Sequence, residues 1–134
     1  MDKNKAAIIM VLPRQAWPPY AGQSRLSFYR AKELKKLGYK LVLISFTHTQ
    51  IVNKDDLENL KSVFDEIIII PVNKFDFLEI VIKALFFRIK NNLPLQASWL
   101  NSKRLIIEFR KHINNLSKKN KKIFFHLYSI RSYY

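Results

Sequence analysis

Apolar residues along this chain follow two distinct rhythms. Short uninterrupted runs, Ala6-Ala7-Ile8-Ile9-Met10-Val11-Leu12, Leu41-Val42-Leu43-Ile44 and Ile67-Ile68-Ile69-Ile70, alternate with longer segments in which apolar residues recur every three or four positions. An uninterrupted run suits a strand covered on both faces of its sheet, whereas spacings of three and four mark a helix with one buried side. The pattern predicts strand 6–12, turn 13–22, helix 23–37, strand 40–46, short helix 54–63, strand 66–71, helix 75–90, helix 101–119 and strand 122–128. Strands alternating with helices give an α/β fold: a Rossmann-like parallel sheet with helices on both faces and right-handed crossovers.

The helices are not alike. In helix 23–37, Leu26, Tyr29, Leu34 and Leu37 fall near one face, the expected packing face, and Gly38 follows where a left-handed residue closes a helix. Helix 101–119 carries Leu105, Phe109, Ile113 and Leu116 at the same kind of spacing. Helix 75–90 differs, because eleven of its sixteen residues are apolar and Asp76, Glu79, Lys83 and Lys90 collapse into one narrow stripe. Such a helix is either well buried or rests against something apolar, a membrane surface being the sharper alternative. The expected contact residues there are Lys83, Phe86, Phe87, Arg88 and Lys90, with Lys103 and Arg104 following.

Between the first strand and the first helix lies Pro18-Pro19-Tyr20-Ala21-Gly22-Gln23-Ser24-Arg25. A turn in this position leaves free backbone N–H groups and the positive end of a helix where an anionic ligand can sit. Charge adds to this picture. The chain of 134 residues carries a formal net charge of +14. Residues 1–72 hold eleven Lys and Arg against seven Asp and Glu, and residues 73–134 hold thirteen against three. A second half this basic points to lipid headgroups, nucleic acid or a phosphorylated substrate, set against the plainer reading of solvated lysines.

Other chemistry is excluded. With no cysteine there is no disulfide framework, thiolate metal site or thiol nucleophile. The three histidines, His48, His112 and His126, share no metal-ligand spacing, so no metal is expected. No apolar stretch reaches the roughly 18 residues of a spanning helix, and Met1-Asp2-Lys3-Asn4-Lys5 does not read as a signal peptide. Ser129 is placed to cap a further helix, so residues 1–134 are expected to form a single domain, incomplete at its C-terminal end.

Leu12-Pro13-Arg14, the turn Pro18 to Arg25, Ala31-Lys32-Glu33-Leu34-Lys35-Lys36-Leu37-Gly38 and Leu41-Val42-Leu43-Ile44-Ser45-Phe46 together resemble the N-terminal domain of GT-B glycosyltransferases, family 4 in particular. Phe64 to Pro71, Pro94-Leu95-Gln96 and His126 to Arg131 are similar as well. The resemblance implies the acceptor-side domain of an enzyme that moves a sugar from a nucleotide-sugar donor to a lipid-linked or polysaccharide acceptor. It implies a cytoplasmic protein, peripheral at the inner face of the cell membrane, with no metal cofactor. It also implies a C-terminal donor-binding domain or companion chain, without which this domain is inactive. Substrate contacts are then expected at Arg14, Tyr20, Ala21, Gly22, Gln23 and Arg25, and a catalytic-wall role at His126, with Tyr128 as the alternative. Ala21-Gly22 stands where the family has two glycines, which restricts the backbone there. The competing reading is a basic α/β module that binds nucleic acid or anionic membrane without catalysis. Nucleic acid is not the expected partner, because the aromatics sit mostly in apolar runs and no helix-turn-helix or RNA-binding signature occurs.

Overall fold

The apolar runs form the strands of one sheet in a computed structural model that describes residues 6–13, 16, 22–47, 54–91, 101–120 and 122–127. The elements are β1 (Ala6–Leu12), α1 (Gly22–Lys36), β2 (Lys40–Thr47), α2 (Lys54–Lys61), β3 (Glu66–Pro71), α3 (Lys74–Asn91), α4 (Lys103–Lys119) and β4 (Lys122–Leu127). The strand order is β3-β2-β1-β4, and every pairing is parallel. This is the Rossmann-like α/β arrangement, with β1 at the centre and the order reversing between β1 and β4.

Strand periodicity divides the core into two layers. Ile8, Met10, Leu12, Leu41 and Leu43 face α1 and α2, packing with Phe28, Ala31 and Leu60. Ile9, Val11, Val42, Ile44 and Phe46 face the other way, against Ile80 of α3 and Leu105 and Leu116 of α4. β1 is buried along its whole length because both of its faces and both of its edges are occupied. The edge strand β4 is less well covered, and Phe124 and Phe125 are exposed on its two faces.

Local chemistry sets the element ends. Gly38 has φ +84°, and the N–H groups of Gly38 and Tyr39 donate to the carbonyls of Lys35 and Leu34 at 2.9 and 3.3 Å. This is a Schellman closure, and Tyr39 and Leu34 pack on the same core layer. Asp65 then ties three elements together. Its carboxylate accepts the Leu41 N–H at 2.8 Å and pairs with Lys35, and its own N–H donates to the Leu41 carbonyl. Burial pushes the Asp65 carboxyl up, but the bonds from Lys35 and Leu41 and the charges of Lys35 and Lys40 outweigh it, leaving it below the usual carboxylate range.

The packing face expected of α1 is corrected. Leu26, Tyr29 and Leu37 are exposed, and the helix instead buries Ser27, Phe28 and Ala31, with Leu34 partly covered. Ser27, Phe28 and Ala31 are the residues of the helix that the core covers, Phe28 and Ala31 packing with the β1 and β2 side chains. α4 packs as expected, with Leu105 and Leu116 buried and Phe109 and Ile113 against the same layer.

Candidate functional site

In parallel sheets whose order reverses, ligands commonly bind outside the carboxyl ends of the two strands at the reversal, which here are β1 and β4. α1 follows β1 and leads back to the parallel strand β2, so its N-terminus opens at this end of the sheet. No acidic residue occupies its first turn, so the helix's own first turn does not cancel its positive end. Gly22 is the first helical residue, exposed, with open space where a Cβ would point, and Arg25 is exposed in the same turn. Gln23 lies between them in the helix. Arg14, Tyr20, Ala21 and Tyr128 lie outside the described residues.

Ser45 is the least expected member of this end of the sheet. It sits near the carboxyl end of β2, in register with Leu12 of β1, on the side that faces α1. It is fully buried, and its hydroxyl is the one buried side-chain polar atom without a hydrogen-bond partner among the described residues. An orphaned buried hydroxyl costs roughly 1–3 kcal/mol. The sequence signal for it was a lone polar residue inside a buried apolar run.

His126 lies on β4 opposite Met10, on the side of the sheet that faces α1 and two residues below the end of β1. Arg30 of α1 reaches it, with the guanidinium Nη1 3.4 Å from the imidazole Nε2. Burial first, and then the charge of Arg30, holds the imidazole below its usual pKa, so it is neutral at pH 7. A neutral ring beside a guanidinium is able to accept a hydrogen bond, here facing Arg30. Sequence reading missed Arg30, which is 96 residues away along the chain.

A second polar cluster sits at the end of β3. Asn73 and Asp76 form a reciprocal cap on α3, the Asn73 N–H donating to Asp76 Oδ2 at 2.9 Å and the Asp76 N–H donating to Asn73 Oδ1 at 2.7 Å. Asp76, only 3% exposed, also accepts from the Ser102 hydroxyl at 2.8 Å and from Arg104 Nε at 3.0 Å, and it ion-pairs with the Arg104 guanidinium. Burial pushes this carboxyl up, yet the bonds from Arg104, Asn73 and Ser102 prevail and hold it below the usual range. One turn on, Glu79 pairs with Lys83 at 2.7 Å and accepts the Lys103 N–H at 3.3 Å, so it caps α4 from the neighbouring helix. Lys83 also donates to Asn101 at 3.5 Å. The polar stripe of α3 therefore turns inward onto α4, and its apolar side turns out.

Of the residues expected at a membrane, Lys83 and Arg104 lie in these intramolecular pairs. Phe86, Arg88, Lys90 and Lys103 are exposed, Phe87 is half-buried, and Lys90 Nζ lies 5.9 Å from the centre of the Phe86 ring. Among the described residues no helix is long and apolar enough to cross a membrane, and no three His, Cys, Asp or Glu side chains group as a metal site would require. Searches against protein-family models, curated proteins and solved structures found no match for this chain.

Proposed function

We propose that this chain is the acceptor-side domain of a GT-B glycosyltransferase, one that passes a sugar from a nucleoside diphosphate to a lipid-linked or polysaccharide acceptor at the inner face of the membrane. The observation that carries the reading is the N-terminus of α1, which opens at the carboxyl end of the sheet with no acidic residue in its own first turn and with Arg25 exposed beside it. It offers backbone hydrogen-bond donors and positive charge to a phosphate-bearing group. His126, held neutral, forms the wall of the proposed site on the β4 side and orients the acceptor there. Tyr128, Arg14, Tyr20 and Ala21 complete the proposed set from outside the described residues. A donor-binding domain or companion chain supplies the other wall, because transfer needs both substrates held in one closed cleft.

The test is titration of the chain with a nucleoside diphosphate, followed by amide chemical shifts. Shifts at Gly22 to Arg25, weakened in Arg25→Ala, are expected. Unchanged shifts in that turn at millimolar nucleotide refute the site, and steady sugar turnover by the chain alone refutes the acceptor-side assignment. A second reading, nucleic-acid binding, is favoured by one observation: the exposed Phe124 ring lies under Lys122 Nζ, 5.2 Å from its centroid. Single-stranded oligonucleotide binding that falls steeply with salt would select it.

A further inference from the structure

The outward side of α3 carries Phe75, Leu78, Ile82, Leu85 and Ile89, spaced three, four, three and four residues apart, all more than half exposed. Phe75 and Ile89, at the two ends, are 82% and 84% exposed. A soluble helix normally turns such a stripe to its core. Here the core side of the helix is Asp76, Ile80, Ala84 and the Glu79–Lys83 pair. The inversion is built by the end of β3 and the start of α4, which bind both acidic side chains of α3. The exposed charges left on the helix are Lys74, Arg88 and Lys90, all cationic.

We infer that α3 lies flat on an anionic lipid surface, with its apolar stripe in the acyl–headgroup boundary and Lys74, Arg88 and Lys90 at the headgroups. Charge decides the occupant. A second copy of the chain crossing α3 about Ile82 would bring Phe75 opposite Ile89 and so set Lys74 beside Arg88 and Lys90 of the other copy. A parallel crossing would oppose like cations in register, with Glu79 already held by α4. An anionic surface accepts the same cations without penalty, and a wide apolar arc edged by Lys and Arg is the form of helix that binds in the interface plane. The inference names the surface at which the proposed transfer takes place, and it rests on that reading only for its setting, since the geometry of α3 stands without it.

The experiment is co-sedimentation of the purified chain with vesicles of phosphatidylcholine, alone and mixed with phosphatidylglycerol, at low and high salt. The expected result is binding to the mixed vesicles only, weakened by salt and roughly fivefold weaker for each of Lys74→Ala and Arg88→Ala. Ile82→Glu and Leu85→Glu change exposed positions, so their circular dichroism should match the parent while vesicle binding is lost. Equal binding to both vesicle types overturns the inference. So does a concentration-dependent dimer that Ile82→Glu dissolves, with no lipid binding, because a second copy then covers the stripe. The nucleotide titration is read without vesicles, so failure here and failure of the transfer reading are told apart.

Discussion

Replacing Asp76 with alanine removes the carboxylate on which the end of β3, the start of α3 and the start of α4 converge. Three donors lose their acceptor, the Asn73 N–H, the Ser102 hydroxyl and Arg104 Nε, and the Arg104 terminal nitrogen keeps only the Pro71 carbonyl. Breaking a buried ion pair from one side costs about 3–5 kcal/mol when the remaining charge stays buried. Arg104 is 41% exposed and can turn to water, which lowers that figure. The lost cap adds about 1 kcal/mol and the charge-assisted bonds about 1.5–3 kcal/mol, so a net loss of about 3 kcal/mol is expected. With an unfolding entropy of about 2.1 cal/mol/K per residue, that lowers the melting temperature by about 10 °C. Thermal unfolding at pH 7, followed by circular dichroism, measures it. Because the folded carboxyl titrates below its unfolded value, its stabilisation is complete above the ordinary Asp pKa and is lost as pH falls through the lowered one. The parent and Asp76→Ala should therefore converge only below about pH 4. A loss under about 3 °C, or strict additivity of Asp76→Ala with Arg104→Ala, would refute the account.

Other consequences are as direct. Gly38→Ala should cost about 1 kcal/mol in urea unfolding, because its φ of +84° is strained for any Cβ although nothing crowds that position. Ala31→Leu should destabilise by about 1–3 kcal/mol through overpacking under α1, while Leu26→Ser stays within about 0.5 kcal/mol; the reverse ranking would restore the face expected from periodicity. His126 should titrate below 6.5 by NMR, and Arg30→Ala should raise its pKa by removing a repelling charge. A depressed pKa means that the His126 contribution to stability is present above pH 6.5 and fades as pH falls through the folded value. His126→Gln should flatten that part of the stability curve.

The strands were legible because nothing competes with a continuous apolar run in a chain that must cover both faces of a sheet. Ile67 to Ile70 could hardly be anything else. Side-chain facing was less legible, for a physical reason. In α1 the large residues Leu26, Tyr29 and Leu37 outweigh Ser27 and Ala31 in any hydrophobic pattern, yet the core covers the small ones. In α3 the stripe of Asp76, Glu79 and Lys83 reads as the solvent side until Ser102, Lys103 and Arg104 are brought against it, a contact between residues more than twenty positions apart. The exposed three-four repeat was present in the sequence, but only the inward pull on the acids shows which way it faces. Ser45 and the Arg30–His126 contact depend on register and crossover, which a single sequence does not display.

The central position of β1 has a consequence for how the chain is made. Of the described strands β1 is synthesised first, yet one of its two neighbours is the last of them, Ala6 pairing with Lys122. At about 5–20 residues per second, roughly 4 to 15 seconds separate completion of β2 from delivery of β4. Throughout that interval the most apolar strand of the fold presents an open edge. Closing so long a loop is slow as well as late, since non-local pairing must meet its entropic cost before any contact rewards it. The nascent β1–β2–β3 sheet is thus the species most exposed to mispairing, and a holdase that recognises short aliphatic runs would find its target in residues 6–12.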